Sequence, residues 1–458
     1  MIASSGDRAK HPAALCLWLG LAAMSVCAGG RAAYAADLTI PGGATASATA
    51  PVPVPVPWLF GDWNGARTRL LDAGIDFQFG YTSEIAGNAT GGDRRQVAYT
   101  DQWTFGATFD LAKLGVVPGG TIQVTWTDRN GSNLSDDARL GTLQQVQEVF
   151  GRGQTLRLTQ FWYDQKFIDG MIDWKIGRIT FGEDFAAFSC DFQNLTFCGA
   201  QPGNLVGNYI YNWPVSQWAT RLKFNLQGFG YFQFGVFDAN PNYLKVAQSA
   251  LPVFYSGSTG LLIPAELGWL PKFGNLQGSY KFGGWYDTST AADVVTDING
   301  NPAVLSGQPL LQSRGRYGIY VNFLQQVIRP SQVNSAGTLS LFLNATMADR
   351  RTATTDYQIA GGLTYTGPFQ SRPEDDIGFA VGTTHVNSRV AWSEELQNLA
   401  GLGPVAVQSN EYSLEFYYTY RPLTGLQVRP NVQYVINPGG TTTNPNALVF
   451  GLKTVANF

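Results

Sequence analysis

The sequence is short of charge. Charged residues make up 14% of its 458 residues, against roughly a quarter in soluble domains, so charged side chains cannot cover a large water-facing surface. The formal net charge is −3, which excludes the strongly basic surface that nucleic acid binding requires. Beyond the first 36 residues no stretch approaches the ~18 consecutive apolar residues of a membrane-spanning helix.

Motifs of the common enzyme classes are also missing. The sequence contains no G-x-S-x-G, no H-E-x-x-H and no phosphate-binding loop. Beyond the N-terminal segment there is one histidine, His385, and a phospholipase that uses His385 as a base is the remaining enzyme alternative. We therefore expect a protein without catalytic activity, cofactor or metal.

Cysteine is scarce as well. Cys16 and Cys27 lie in an N-terminal segment that reads as a secretory signal over residues 1–35, because Arg8 and Lys10 precede an apolar run that ends in "AYA". A membrane anchor is the alternative for this run. Cys190 and Cys198 remain, eight residues apart. In an exported protein such a pair predicts one loop disulfide, since a zinc site needs more ligands.

Between this signal and the main part of the chain, two short segments are expected. Residues 36–57 contain an alternating Pro-Val tract and predict a flexible tether. Residues 58–74 predict a short helix, which Asp62 or Asn64 caps and Gly74 ends. Arg67 and Arg69, the two arginines of this segment, are expected on a periplasmic surface.

From residue 75 to residue 458 apolar residues recur at every second position. In "TIQVTWT", for example, Ile122, Val124 and Trp126 share one face and polar residues the other. Short connections such as "FIDGM" alternate with long ones, which we place at Asp128 to Thr155, Glu183 to Gln217, Asp238 to Pro264, and Asp287 to Ser313. The pattern continues to the last residue, Phe458.

This pattern predicts a transmembrane antiparallel β-barrel of about 16 strands, with an apolar face towards lipid and a polar face towards a wet lumen. A β-sandwich would also alternate, but it needs a Lys- and Glu-rich surface that this sequence lacks. In the barrel the last strand closes the cylinder by pairing with the first. Phe458 is then expected to serve as a signal for the barrel-assembly machinery of the bacterial outer membrane.

Several stretches together resemble the carbohydrate-selective porins of the OprB type. They run through nearly all of the chain after the signal: "LFGDWNGARTRLLDAGIDFQFGYTSEIAGNATGG", "DRNGSNL", "FWYDQKF", "IGRITFGEDFA", "FDANP", "YKFGGWYDT", "RPEDDIGFAVG" and "LEFYYTYRPLTGLQVRPNVQYVINPGG". The resemblance implies a barrel in which loops narrow the lumen, and passive diffusion of neutral sugars such as glucose. Arginines and acidic residues are expected along that passage.

Strand parity supplies candidates for the lumen. The charged residues on inward parity are Glu84, Lys175, Arg221, Glu266, Lys281, Arg316, Glu411 and Glu415. Arg129 follows an inward threonine at the mouth of a long connection, while the facing of Arg157 and Arg178 is ambiguous. Trp285 falls on inward parity, where its ring can stack on a sugar; the alternative is an interfacial girdle position.

The family resemblance implies that Arg129 and Arg178 lie near the narrowest part of the channel, and strand parity adds Arg221. We expect these arginines to frame that part, opposed by some of Glu84, Glu411 and Glu415. The alternative is that lumen charges pair with one another and only stabilise the barrel. The expected partners are small carbohydrates and outer-membrane lipid, with no nucleic acid. A general or ion-selective porin of the same fold is the competing function.

Overall fold

The computed structural model describes residues 58–245, 250, 253–328 and 337–458. The predicted signal over 1–35 and tether over 36–57 lie outside the described residues. In the described part, seventeen strands form one antiparallel sheet, and one of these strands has only two residues.

The elements follow one another in a regular order. The strands are β1 (Ile75–Asn88), β2 (Val97–Asp110), β3 (Gly120–Gly131), β4 (Leu156–Phe167), β5 (Ile172–Ile179), β6 (Gln217–Leu226), β7 (Gly230–Ala239), β8 (Gly260–Trp269), β9 (Lys272–Phe273), β10 (Leu276–Asp297), β11 (Leu310–Ile328), β12 (Thr338–Ala348), β13 (Thr355–Thr366), β14 (Asp376–Val386), β15 (Asn410–Leu423), β16 (Leu426–Ile436) and β17 (Ala447–Asn457). The helices are α1 (Ala66–Asp72), α2 (Leu134–Asp137), α3 (Phe181–Asp184), α4 (Gln201–Leu205), α5 (Ala303–Ser306) and α6 (Ser388–Leu399).

The sheet closes into a cylinder. β1 pairs with β2 on one side and with β17 on the other, in a register that sets Glu84 opposite Lys453. The short β9 precedes β10 and pairs only with its first residues, while β8 pairs with the body of β10. Sixteen long strands therefore form the wall, which confirms the predicted barrel and excludes the sandwich.

Burial along the strands is the reverse of that in a soluble protein. On β1 the side chains of Phe77, Phe79 and Ile85 are about two-fifths exposed on the outer face, whereas Glu84 on the inner face is fully buried. Large apolar side chains are exposed on the same parity in the other strands. An apolar outer belt and a polar interior are the arrangement expected of a barrel in lipid. No helix among the described residues is long and apolar enough to cross a membrane.

Connections at the end of the barrel where β1 begins are short, and several at the far end are long. The long ones are loop 2 (132–155), loop 3 (180–216), loop 4 (240–259) and loop 7 (387–409). The predicted connection from Asp287 to Ser313 is wrong in extent, because β10 continues to Asp297 and β11 begins at Leu310. The small and β-branched residues of this stretch are compatible with a strand, so β10 extends beyond the predicted end. Loop 7, which contains α6, was not among the predicted long connections.

The segment before β1 packs against the last strand. Gly65, in the left-handed conformation, is the N-cap of α1, and Asp62 accepts a hydrogen bond from the Thr68 N–H at 2.8 Å. Arg67 is 4% exposed rather than on the surface. Its guanidinium donates to the main-chain oxygens of Phe458 and, at 2.7 Å, of Phe77. The segment thus bridges the seam between β1 and β17.

Candidate functional site

Loops 2 and 3 fold into the barrel and contact each other there. The Glu148 N–H donates to the Gln193 carbonyl at 2.9 Å, and the Leu195 N–H donates to the Gln145 carbonyl at 2.9 Å. Gln193 also donates from its side chain to the carbonyl of Ile85 on the wall, at 3.2 Å. Because both loops lie against the inner face of the wall, they narrow the lumen.

Two glutamates on the wall hold loop 2. Glu411 accepts the N–H groups of Leu143 at 2.6 Å and Gln144 at 3.2 Å, one on each carboxylate oxygen. Glu84 accepts the N–H of Val149 at 3.1 Å. These carboxylates face the lumen, as parity predicts. Both oxygens of Glu411 and one oxygen of Glu84 bind the backbone of loop 2, while the other Glu84 oxygen lies 3.3 Å from Lys453.

Two further glutamates hold loop 3 in the same way. Glu415 accepts the N–H groups of Gln193 and Asn194, both at 2.8 Å and on separate oxygens. Glu266 accepts the N–H of Ala186 at 2.8 Å. The wall therefore uses acidic side chains to satisfy loop amides that would otherwise be buried without partners.

Basic residues of the wall bind the carbonyl groups of loop 3. Lys453 donates to the carbonyls of Cys190 at 2.9 Å and Phe192 at 3.1 Å. Lys281 donates to the Ala187 carbonyl at 2.6 Å. Acidic and basic wall residues thus bind the two kinds of backbone group, which fixes the orientation of the loop.

A second set of wall charges forms ion pairs. Arg221 contacts Asp173 at 2.6 Å, Asp164 at 3.3 Å and Asp184 of α3 at 3.4 Å. Lys175 contacts Asp184 at 3.0 Å. Burial alone would raise the pKa of Asp184, but Lys175 and Arg221 hold that pKa below its usual range. Arg221 and Lys175 are therefore paired with acidic residues of the wall and of loop 3, as the alternative interpretation of the lumen charges expects.

Arg316 and Trp285 lie together on the inner face of the wall. Arg316 forms an ion pair with Asp287, and its guanidinium lies 3.7 Å from the centre of the Tyr209 ring. The Trp285 Nε1–H donates to the Tyr209 hydroxyl at 3.1 Å, and the side chain is 4% exposed. An interfacial girdle position for Trp285 is therefore wrong, and its ring is packed inside the barrel.

The side chain of Arg157 binds backbone groups of two loops. Its guanidinium donates to the main-chain oxygens of Arg152, at 2.9 Å, and Tyr243, at 3.1 Å. These contacts join loop 2 to loop 4 at the rim.

Arg178 lies away from the predicted constriction. It pairs across the strands with Phe161 and Trp218, on the parity that faces outward. Its guanidinium lies over the rings of Tyr243 and Tyr255 in loop 4, at 4.8 and 5.2 Å from their centres. The expectation that Arg178 lines the channel is therefore corrected: loop 4 covers it at the strand end.

Arg129 is the one predicted arginine that lies where loops 2 and 3 meet. Its Nε–H donates to Gln102 at 2.8 Å, and the same Gln102 oxygen accepts the Nε1–H of Trp213 from loop 3 at 3.1 Å. Its charged neighbours include Glu148 and Arg152 of loop 2. For the proposal below, we refer to Arg129, Glu148, Arg152 and Trp213 as the constriction residues.

Three of these four residues were missed by sequence reasoning. Arg152 donates to the carbonyls of Gly207 at 2.7 Å and Gly203 at 3.3 Å, which ties loop 2 to loop 3. Glu148 accepts a hydrogen bond from Lys453 at 2.6 Å. Strand parity does not extend into loops, so the available signal for Glu148 and Arg152 was the charge within "QEVFGRGQ", and Trp213 lies outside that stretch.

Cys190 and Cys198 are joined by a disulfide in loop 3. Within the described ranges these two cysteines and Glu148 are the one cluster with the composition of a metal site. Because the two sulfurs are bonded to each other, the cluster offers no thiolates to a metal.

Comparison with known proteins agrees with this geometry. The family model for carbohydrate-selective porins, the OprB family, matches residues 94–458. Porin B of Pseudomonas aeruginosa is 43% identical, with 86% of this chain and 90% of the relative covered. A putative porin of Acinetobacter baylyi, QuiX, is 34% identical, with 88% of this chain and 93% of the relative covered.

A solved structure shows the same architecture. The high-pH structure of Pseudomonas putida OprB is 44% identical in sequence and superposes with a TM-score of 0.84, covering 88% of this chain and 98% of the other. The chain therefore belongs to the OprB family of carbohydrate-selective porins and is a sugar-selective β-barrel channel of the bacterial outer membrane.

Proposed function

We propose that the chain lets monosaccharides diffuse passively across the outer membrane, and that the constriction residues select them. The observation that carries this proposal is the Gln102 oxygen shared by Arg129 and Trp213. It sets a planar guanidinium beside an indole. A sugar presents hydroxyl groups at its edge and apolar C–H groups on its faces, which match these two side chains.

The contacts of Arg129 leave it donors for a ligand. Its Nε binds Gln102, and one terminal nitrogen reaches the Gly151 carbonyl at 3.4 Å. In the described part of the chain the other terminal nitrogen has no protein acceptor. A guanidinium offers several fixed donors, which suit adjacent hydroxyls better than the single ammonium of lysine.

The binding should be weak enough for transport. Each hydroxyl contact contributes about 0.5–1.5 kcal/mol, because water competes for the same groups. A handful of such contacts gives binding of roughly millimolar strength, about −4 kcal/mol. A channel needs such weak binding, since the sugar must leave as readily as it enters.

The competing function is a general or ion-selective porin. Most inward charges of the wall form hydrogen bonds with loop backbone groups, as Glu415 does, or ion pairs with one another, as Arg221 does. Few uncompensated charges then remain to attract ions of one sign. This favours neutral solutes such as glucose and related sugars.

The test compares Arg129→Gln with Arg139→Gln by single-channel recording in the presence of sugar. Arg139 is an exposed residue of loop 2 that pairs only loosely with Asp93, at 3.5 Å. We expect Arg129→Gln to weaken sugar block by about ten-fold, because it removes one charged hydrogen bond to the sugar. We expect Arg139→Gln to leave sugar block unchanged. Equal sugar block in both variants would contradict the assignment.

We further propose that the protein acts without catalysis. The family and the relatives indicate a channel. His385 lies on β14 with its Nδ1 at 2.6 Å from Asp356 and its ring stacked on Tyr357. We expect the purified barrel to leave phospholipid intact, and release of fatty acid would restore the enzyme alternative.

Two partners belong to this proposal. The exposed apolar belt, which includes Phe77 and Ile85, is suited to outer-membrane lipid. Phe458, next to the last strand, is suited to recognition by the assembly machinery during insertion. A Phe458→Ala variant that accumulates outside the membrane would support this recognition, and normal insertion would contradict it.

A further inference from the structure

We propose that Glu411 and Glu415 are positioning residues for the constriction, which hold loops 2 and 3 at the place where sugars are selected. This inference rests on the proposed function. Both glutamates lie on β15, four residues apart and therefore on the same inner face. Glu411 binds loop 2 and Glu415 binds loop 3.

Each carboxylate binds two consecutive loop N–H groups, which a β-strand could not offer, and Glu411 also accepts the N–H of Gly439 at 2.8 Å. In a strand consecutive N–H groups point to opposite sides, so one carboxylate cannot bind both. Loops 2 and 3 each turn two neighbouring amides towards the wall, at Leu143 and Gln144 and at Gln193 and Asn194. The two oxygens of a glutamate match this arrangement.

The loop amides compensate the charge of these glutamates. Glu411 and Glu415 are each 1% exposed, and among the described residues neither takes part in an ion pair within 4.0 Å. Glu84, by contrast, lies 3.3 Å from Lys453. A buried carboxylate is costly unless it is hydrogen-bonded. Undocking loop 3 would leave the buried Glu415 carboxylate without these donors. Undocking loop 2 would leave Glu411 with the Gly439 N–H, at 2.8 Å, as its remaining donor among the described residues. Each glutamate therefore disfavours movement of the loop that it binds.

The two docking points also act together. Between them, loops 2 and 3 exchange the hydrogen bonds from Glu148 to Gln193 and from Leu195 to Gln145. Glu148 is a constriction residue, and it lies within one residue of Val149, which Glu84 binds. β15 therefore positions loops 2 and 3 through Glu411 and Glu415, and Glu84 of β1 adds a contact next to Glu148.

The experiment uses the full-length protein with Glu411→Gln and Glu415→Gln, singly and together. An amide keeps one acceptor oxygen but presents an NH₂ group to the second loop N–H. Losing one charged hydrogen bond should raise the ratio of undocked to docked loop about ten-fold or more. The readouts are single-channel conductance and the permeation ratio of glucose to an amino acid of similar size.

The matched control is Asp356→Asn. Asp356 is a buried acid of the wall, and its partners among the described residues are the side chains of Arg350 at 3.0 Å and His385 at 2.6 Å, neither of which belongs to loop 2 or loop 3. The shift in electrophoretic mobility on heating reports whether each variant still forms a barrel. A merely structural role would lower that barrel stability without changing the conductance of intact channels.

We expect intact channels of the double variant to show higher and noisier conductance and a lower glucose preference, with smaller effects in each single variant and none in the control. Intact channels with the conductance and preference of the unmodified protein would overturn the inference. If no double-variant barrel forms, the same comparison is made with each single variant. If the unmodified protein shows no sugar preference, the proposed function fails, while the conductance comparison still decides the role of the glutamates.

Discussion

Arg67 provides a sharp test of the seam between the first and last strands. In the variant Arg67→Ala the segment 58–73 loses the hydrogen bonds of the guanidinium to the main-chain oxygens of Phe77 and Phe458. It also loses the contact of the guanidinium with the Trp58 ring, at 3.8 Å. The contacts that remain include the hydrogen bond from the Leu59 N–H to the Asn457 carbonyl, at 2.7 Å, the one from Lys113 to the Leu71 carbonyl, at 3.1 Å, and the apolar contacts of the segment.

The size of the effect follows from these contacts. A hydrogen bond from a charged group contributes about 1.5–3 kcal/mol, and a cation–π contact about 0.5–2 kcal/mol. Such contributions are not additive within one cluster, so we take about 3 kcal/mol as the loss in the free energy that docks the segment. This corresponds to roughly a 100-fold increase in the undocked fraction.

Chymotrypsin cleavage at the aromatic residues of this segment measures that fraction, because the substitution removes no chymotrypsin site. The matched control is Arg69→Ala, at an exposed arginine on the same helix. The side chain of Arg69 donates to the Asn64 carbonyl over a long distance of 3.4 Å. We expect cleavage of Arg67→Ala about 100-fold faster than that of Arg69→Ala. Equal rates in the two variants would refute the account of the seam.

Three further outcomes are expected. Arg221→Met should lower the free energy of unfolding in urea by about 3–5 kcal/mol, because it leaves buried carboxylates unpaired. The control Arg139→Met, at an exposed ion pair, should lower it by about 0–1 kcal/mol, and equal losses in the two variants would contradict this. Replacing Cys190 and Cys198 by serine should cost loop 3 about 2–3 kcal/mol by loop entropy and raise conductance noise, and labelling of both thiols in the native protein would show that the bridge is absent. Trp285→Phe should cost about 1 kcal/mol of stability to urea through its lost hydrogen bond without changing sugar block, and altered block would instead indicate a sugar contact.

The barrel was predictable because a strand in lipid obeys one rule along its whole length. Period-2 alternation identified the fold, and it also placed Glu84, Glu411 and Glu415 correctly on the inner face. The same rule does not reveal what an inward charge binds. That depends on loops 2 and 3, whose backbone follows no period, so the sequence could not show that these glutamates hold loop amides.

The wrong or missing predictions concern Arg178 and the helix α6, and both lie where strand alternation ends. Arg178 follows Gly177, which adopts a positive φ of 142°, and lies one residue before the end of β5, where alternation no longer predicts the surroundings of a side chain. The helix α6 lies in an exposed connection without a buried face, so no hydrophobic period marked it. The secretory signal over 1–35 and the tether over 36–57 stay predictions.

Sugar selectivity is the central claim, and liposome swelling tests it most directly. Vesicles containing the purified barrel are transferred to isotonic solutions of glucose, of amino acids of similar size, and of salt, and the initial swelling rates are compared with those of vesicles without protein. If Arg129 and Trp213, which share the Gln102 oxygen, select sugars as proposed, glucose enters faster than amino acids of the same size. Equal rates for all solutes of one size would contradict selectivity and leave a general diffusion porin.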